Sequence, residues 1–304
     1  MSNPINTESK NSKFEYSPLQ DLLDVFCLGS KIQIHIQGIS PGFYSKELNV
    51  SSKYKMHFKH FCDIAKSTPE GFNLCICCKM HSNHKAVYEK KPFFGHCPFG
   101  LYEYVRPIEV FGEVVGILYI GNMMKERDKS IFRIQKAAKI TGVDPDELIK
   151  ELHNTEKVAD MSKYIKTADI IESYIRLLYE KIISAPDYVK PSYNSSKLWE
   201  ISEYINYNYK RNITLNQLSK LYFINEKYLG KLLKAQFNMS FHERLNVLRL
   251  KNAEKLLKTT SKSIIEIAFD CGYQSVNYFN RRFYKKYNIT PSQYRKKETQ
   301  HTEF

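Results

Sequence analysis

The sequence predicts an α+β domain followed by an all-helical domain, and three observations predict it. The C-terminal third repeats one short plan fifty positions apart: Leu218, Asn225, Tyr228, Leu229 and Lys231, then Ile267, Ser275, Tyr278, Phe279 and Arg281. Each copy reads as an apolar helix, a turn, and a second helix opened by Asn or Ser and carrying cations. In the N-terminal half, Ile32, Ile34 and Ile36 alternate with polar residues, the period of a half-buried strand. Between the halves, residues 184–196 (SAPDYVKPSYNSS) break every pattern with two prolines and small polar residues, as a linker does.

Residues 1–15 read as a disordered lead. A helix is expected over 16–26, opened by Ser17-Pro18, with Leu19, Leu22, Leu23 and Phe26 on one face. A turn follows at 38–42, then a helix over 57–67 and a cysteine-rich loop and helix over 71–88. Strands over 104–111 and 114–121 flank Gly112-Glu113, a hairpin signal. Helices are expected over 132–141 and 145–152, the second capped by Asp144 before Pro145. A long amphipathic helix over 161–183 carries Ile165, Ala168, Ile171, Ile175, Leu178 and Ile182 as a stripe. That stripe can pack onto its own domain, the default use, or form a dimer seam.

After the linker everything reads as helical. A lead helix over 197–209 is followed by Thr214 capping 215–222 and Asn225 capping 226–236. A long connecting helix spans 241–258, then Ser263 caps 264–270 and Ser275 caps 276–287. Leu229, Leu232 and Leu233 must face inward in the first unit, which turns Lys227, Lys231 and Lys234 outward. In the second, Phe279 and Phe283 go inward, and Asn277, Asn280, Arg281 and Arg282 go outward. Arg and Lys can donate to guanine O6 and N7, and Asn can pair with adenine through two hydrogen bonds. Helix starts at Asn225 and Ser275 offer backbone amides to phosphates. For Tyr228, Tyr273 and Tyr278 the ordinary reading is core packing.

Charge agrees with a polyanion partner at one end. Residues 197–304 hold 20 Lys and Arg against 9 Asp and Glu, a net +11, which leaves +3 for residues 1–196. The start of the chain shows no secretory pattern. The longest apolar stretch, 114–120, is far short of the roughly 20 residues that cross a bilayer. A cytoplasmic protein without membrane contact is expected, its seven cysteines reduced.

Cys62, Cys75, Cys77, Cys78 and Cys97 cluster among His57, His60, His81, His84 and His96. Cys75-x-x-Cys78 has the spacing of a metal knuckle, which Cys62 and Cys97 could complete as a zinc or Fe–S site. The outer spacings fit no standard zinc ribbon. A redox-active thiol and plain lining of an apolar pocket stay open as alternatives.

Residues 197–297 resemble the AraC/XylS class of bacterial transcription regulators, carried by 264–295 (IIEIAFDCGYQSVNYFNRRFYKKYNITPSQYR). The resemblance implies base contacts at Lys227, Gly230 and Lys231 in the first unit and at Val276, Asn277, Asn280 and Arg281 in the second. Gly230 has no side chain with which to read a base, and Leu233 stands where Phe is common. The first unit is therefore expected to lean on phosphates. Residues 18–183 resemble the PocR sensory domain, a PAS-like α/β module, through Phe61-Cys62, Cys75, His96-Cys97-x-x-Gly100-Leu101, Pro107-Ile108, Gly112, Gly116 and Gly121-Asn122. The family usually has Gln at the position of Asn122. This resemblance implies a small-molecule effector, with short alcohols and diols as one class.

Together these imply a DNA-binding regulator, not an enzyme, with double-stranded DNA, an effector, a second copy and RNA polymerase as partners. A metal- or redox-sensing regulator is the alternative. Two further classes fare worse: the context of a methyl-accepting cysteine is missing, and no Ser-His-Asp order, phosphate-binding glycine loop or HExxH motif occurs.

Overall fold

The computed structural model describes residues 17–300, apart from Phe58, Asp187 and residues 189–194. The expected disordered lead lies outside the described residues, as does most of the expected linker.

The N-terminal domain is built on an antiparallel sheet. Its strands are β1 (Gln33–Gly38), β2 (Phe93–His96), β3 (Tyr102–Val110) and β4 (Glu113–Met124), in the order β1-β4-β3-β2. A two-residue strand, β5 (Glu156–Lys157), pairs in parallel with the end of β4. Around it lie α1 (Pro18–Cys27), three short 3-10 turns between Pro41 and Tyr54, α2 (His60–Ala65), α3 (Pro69–Glu89), α4 (Arg127–Thr141), α5 (Pro145–Glu151) and α6 (Ser162–Ile183).

Helix α6 covers one face of the sheet and α3 the other. Leu118 and Ile120 of β4 pack with Ala168, Ile171 and Ile175 of α6, whereas Ile117 and Tyr119 pack with Ala86 of α3. A strand covered on both faces must be apolar throughout, which explains the unbroken run over 114–120. The stripe of α6 is spent on this core, so it is no dimer seam: Ala168, Ile171 and Ile175 are fully buried, and Ile165, Leu178 and Ile182 pack beside them.

Three local expectations need correction, and one strand has no counterpart among them. Thr68 accepts from the Gly71 amide at 3.0 Å and Pro69 occupies the first turn, so the cysteine-rich segment is one 21-residue helix with no preceding loop. The helix expected over 57–67 shrinks to α2. The hairpin turn is Phe111-Gly112, one residue early, because Val110 pairs with Glu113; both turn residues have positive φ (51° and 80°), as a primed turn requires. Strand β2 has too short a pattern to be read from sequence.

The C-terminal domain is helical: α7 (Ser195–Asn208), α8 (Leu215–Leu221), α9 (Glu226–Phe237), α10 (Phe241–Thr259), α11 (Ile264–Asp270), α12 (Val276–Tyr287) and α13 (Pro291–Gln300). Thr214, Ser240 and Ser263 form capping boxes with Gln217, Glu243 and Glu266. Two cores form here. One gathers Leu218, Leu229 and Leu233 with Ile201 and Ile205; the other gathers Ile267, Phe279 and Phe283 with Leu250 and Leu257. The first core continues into Phe72 and Ile76 of α3, so it is shared with the N-terminal domain.

Candidate nucleic-acid interface and sensor cavity

The two units differ at their turns. Gly272 takes φ +88°, and a Cβ there would lie 2.2 Å from the Lys210 carbonyl oxygen, so only glycine fits. The first unit places Phe223 at φ +52°, a left-handed conformation that a bulky residue rarely adopts. Its ring packs on His84 of α3, with centroids 4.8 Å apart.

Asn225 and Ser275 cap α9 and α12 by accepting from the Tyr228 and Tyr278 amides at 3.2 and 3.3 Å. Those two amides are thereby occupied; amides nearer the helix starts are the ones a phosphate would use. Asn225, Lys227, Lys231, Lys234, Ser275, Asn277 and Arg281 are exposed. Asn280 and Arg282 are half-buried, and the Asn280 Oδ1 is sealed, so Asn280 is less outward than helical spacing suggests. Gly230 packs against α8, where a Cβ would meet Leu215 at 3.3 Å; close helix approach accounts for it better than readout does.

Tyr228 and Tyr278 were misassigned by the sequence: both are exposed, and only Tyr273 is buried. The Arg281 and Arg282 guanidinium groups lie 5.5 and 5.9 Å from the Tyr278 ring centroid. The aromatic face therefore restrains two cations beside the helix start. Helix α10 ties the units together. Arg249 donates to the Tyr209 and Arg211 carbonyls at 2.8 and 3.1 Å, and Asn246 lies 3.3 Å from the Tyr278 hydroxyl.

The N-terminal domain holds a cavity of about 120 Å³ between α2, α3 and the sheet. His35, His57, Lys79 and Glu103 supply its polar wall, and Phe61, Phe72, Phe99 and the four clustered thiols much of the rest. Glu103 is set by a local irregularity where β3 and β4 slip register: it lies over Gly121, whose missing side chain makes room at 3.2 Å. The next residue, Asn122, takes φ +59° and donates to the Lys31 and Asn154 carbonyls, as an amide side chain can. Glu103 Oε1 is 3.9 Å from His57 Nε2, and the His35 and His57 rings meet edge to face at 5.1 Å.

Three buried polar atoms of this wall, both ring nitrogens of His35 and the Lys79 Nζ, have no hydrogen-bond partner among the described residues, and the Lys79 Nζ lies over the Tyr119 ring, 2.8 Å from its centroid. Leaving such groups unmet costs free energy, which a polar ligand recovers. Burial pushes Lys79 down to about 7, with Glu103 partly offsetting it. Burial also holds both histidines well below their ordinary value and raises Glu103. Sequence reasoning missed Lys79, His35 and Glu103; the one available signal was Lys79 standing one helical turn after Cys75.

Cys62, Cys75, Cys78 and Cys97 do meet at this cavity. Burial pushes Cys62 up to about 12 and Cys78 to about 11, and raises Cys75 and Cys97, which favours the neutral thiol. Among the described residues no group of three or more His, Cys, Asp or Glu is disposed to hold a metal ion. The zinc or Fe–S reading gains no support from this geometry, and pocket lining describes what these thiols do. Among the described residues no helix is long and apolar enough to cross a membrane.

Fold and site define a transcriptional regulator with an AraC-type DNA-binding domain joined to a sensory domain. A helix-turn-helix domain model matches residues 218–297, and the model of the sensory domain found in PocR matches residues 19–182. The second match spans more than half the chain, and the chain belongs to that sensory-domain family. It is 24% identical over 252 residues to the regulatory protein PocR of Salmonella typhimurium, covering 79% of this chain and 82% of that one. It is 33% identical over 100 residues to the HTH-type transcriptional activator RhaR of Mannheimia succiniciproducens, 33% of this chain and 36% of that one. The C-terminal domain of the two-component response regulator yesN from Fusobacterium nucleatum is 36% identical, with 33% of this chain and 99% of that chain covered and a TM-score of 0.32.

Proposed function

We propose that the protein reads a specific DNA sequence with α9 and α12 and that a small molecule held in the N-terminal cavity controls this reading. The observation that carries the sensing half is the set of polar atoms without hydrogen-bond partners on His35 and Lys79 inside a mostly apolar cavity. A charged ligand is not required, because cations (Lys55, Lys66, Lys79) and carboxylates (Glu103, Glu200) both line the cavity. A neutral molecule with hydroxyl groups fits that wall, which supports a short alcohol or diol. Cavities of roughly 150 Å³ hold benzene, so the ligand has a handful of heavy atoms.

In the reading half, Arg281 and Asn277 contact bases. Lys227, Lys231, Lys234 and Arg282 hold phosphates or base edges beside them, Asn280 contributes through its amide nitrogen, and the helix starts at Asn225 and Ser275 receive the backbone. The protein acts in the cytoplasm as a homodimer on a repeated site, where it meets RNA polymerase. The domain limits that serve this reading are 16–183 for the sensor and 197–304 for the reader, with 184–196 between them.

Duplex selection with the full chain, followed by binding titrations with and without graded alcohols, diols and polyols, tests the proposal. One enriched motif is expected, with an affinity that a member of the set shifts. About six phosphate contacts would give a log–log salt slope near −5. A flat salt response with no enriched motif would sink the DNA half, and a set that leaves both melting temperature and affinity unmoved would sink the effector half.

A further inference from the structure

The sensor does not close its cavity by itself. The lining passes from α3 onto α7 and the end of α8, where Tyr204, Tyr207, Asn208, Leu221 and Tyr222 complete it. Helix α3 serves both sides. Phe72, Ile76 and Met80, at four-residue spacing, enter the core of the first helix-turn-helix unit; Phe72 and Ile76 line the cavity as well, together with Cys75, Cys78 and Lys79.

Polar contacts fasten this seam all round. Asp63 of α2 accepts from Arg211 Nη2 at 3.1 Å and from the Tyr207 hydroxyl at 3.3 Å. Gln217 donates to Asn73 Oδ1 at 2.8 Å. The Leu221 carbonyl, at the end of α8 where a helix leaves acceptors unmet, accepts from Gln37 at 2.8 Å and from Asn83 at 3.4 Å. Phe223, strained in its turn, rests on His84.

We propose that Tyr204, Leu221 and Tyr222 are part of the effector site: the first DNA-reading unit is the roof of the cavity, and the ligand is gripped by both domains at once. Filling the cavity and seating the first unit on the sensor are then one linked equilibrium. Whatever factor the ligand adds to seating, seating adds to the ligand. The nature of the ligand, a compact neutral hydroxyl compound, rests on the function proposed above; the roof itself does not.

Thiol labelling of the full chain tests the roof without any effector. Methyl methanethiosulfonate transfers its methylthio group to a cysteine sulfur and releases methanesulfinate. Followed by mass spectrometry, it reports access to Cys75 and Cys78, with exposed Cys77 and buried Cys271 as internal references. In Asp63→Ala, Cys75 and Cys78 should label about tenfold faster, the weight of one charged hydrogen bond, and in Asn73→Ala, which removes the neutral bond to Gln217 and leaves the α8 cap intact, about fivefold faster, while Cys77 and Cys271 keep their rates. Unchanged rates at Cys75 and Cys78 overturn the proposal. So does acceleration at all four sites, which would mean general loosening. A flat labelling result condemns the roof alone, whereas alcohols that fail to bind condemn the effector reading and leave the roof standing.

Discussion

The carbonyl oxygen of Leu221 accepts a hydrogen bond from the Gln37 side chain at 2.8 Å, across 184 residues of sequence and across the boundary between sensor and reader. Asn83, fully buried, joins the pair by donating to Gln37 Oε1 at 2.9 Å, and the Tyr119 hydroxyl donates to Asn83 Oδ1. Replacing Asn83 with Leu strands two polar groups, Gln37 Oε1 and the Tyr119 hydroxyl, so unfolding should become easier by about 1–3 kcal/mol or more. Urea titration followed by tyrosine fluorescence measures this. A loss under about 0.5 kcal/mol would mean that the network contributes nothing net.

The buried ammonium of Lys79 makes a prediction about pH. Its folded value is lowered from 10.5 to about 7, so between those limits the unfolded chain holds the proton and the folded chain does not. Stability contributed by this group therefore rises with pH from about 7 to 10.5 and is flat below 7. In Lys79→Met that rise should vanish, and the variant should be the more stable protein at pH 6. Melting curves at half-unit steps decide it; parallel pH profiles for both proteins would refute it.

The two units should answer differently to loss of a cation. On the function proposed above, Arg281→Ala removes a base contact beside Tyr278 and should cost about 1–3 kcal/mol of discrimination at one base pair. Lys231→Ala, on a helix whose neighbouring Gly230 carries no side chain, should weaken all sequences alike and reduce the salt slope by about 1. Competition binding with single-base variants of the selected duplex separates the two. Selective loss of one base preference in Lys231→Ala would reverse the assignment.

In the second unit, Phe279→Ala should cost about 3–5 kcal/mol in its core, because Phe279 is fully buried among Tyr273 and Phe283. Gly272→Ala should also be severe, since its Cβ would collide with the Lys210 backbone. Among the described residues the core around Phe279 takes in no sensor residue, so the ligand-induced stabilisation expected on the function proposed above should survive both. Calorimetry would resolve the two transitions, and loss of the ligand response in either variant would contradict this.

Much of the reading half was legible because each signal is local. Thr214, Ser263 and Ser275 cap through groups three residues away, and Phe279 and Phe283 follow helical spacing. The repeat supplied a second, independent copy. Tyr228 and Tyr278 escaped because an aromatic ring at a helix start has the same spacing whether it is buried or open. The cavity was illegible for the opposite reason. His35, Lys79, Glu103 and Tyr204 come from four separate elements, and only strand register, the room left by Gly121 and the seam with α7 bring them together. The cysteines left their role open because a Cys-x-x-Cys spacing looks alike on a turn and on a helix, and Pro69 with Thr68 decides for the helix.

The two apolar cores of the C-terminal domain are unequally placed. One is continuous with α3, and the other, around Phe279 and Phe283, stands free of the sensor. The half of the grip built on α12 is therefore insulated from whatever occupies the N-terminal domain, and the half built on α9 is not. On the function proposed above, an effector retunes the hold of α9 on its half of the site while α12 keeps its own, so the address stays the same.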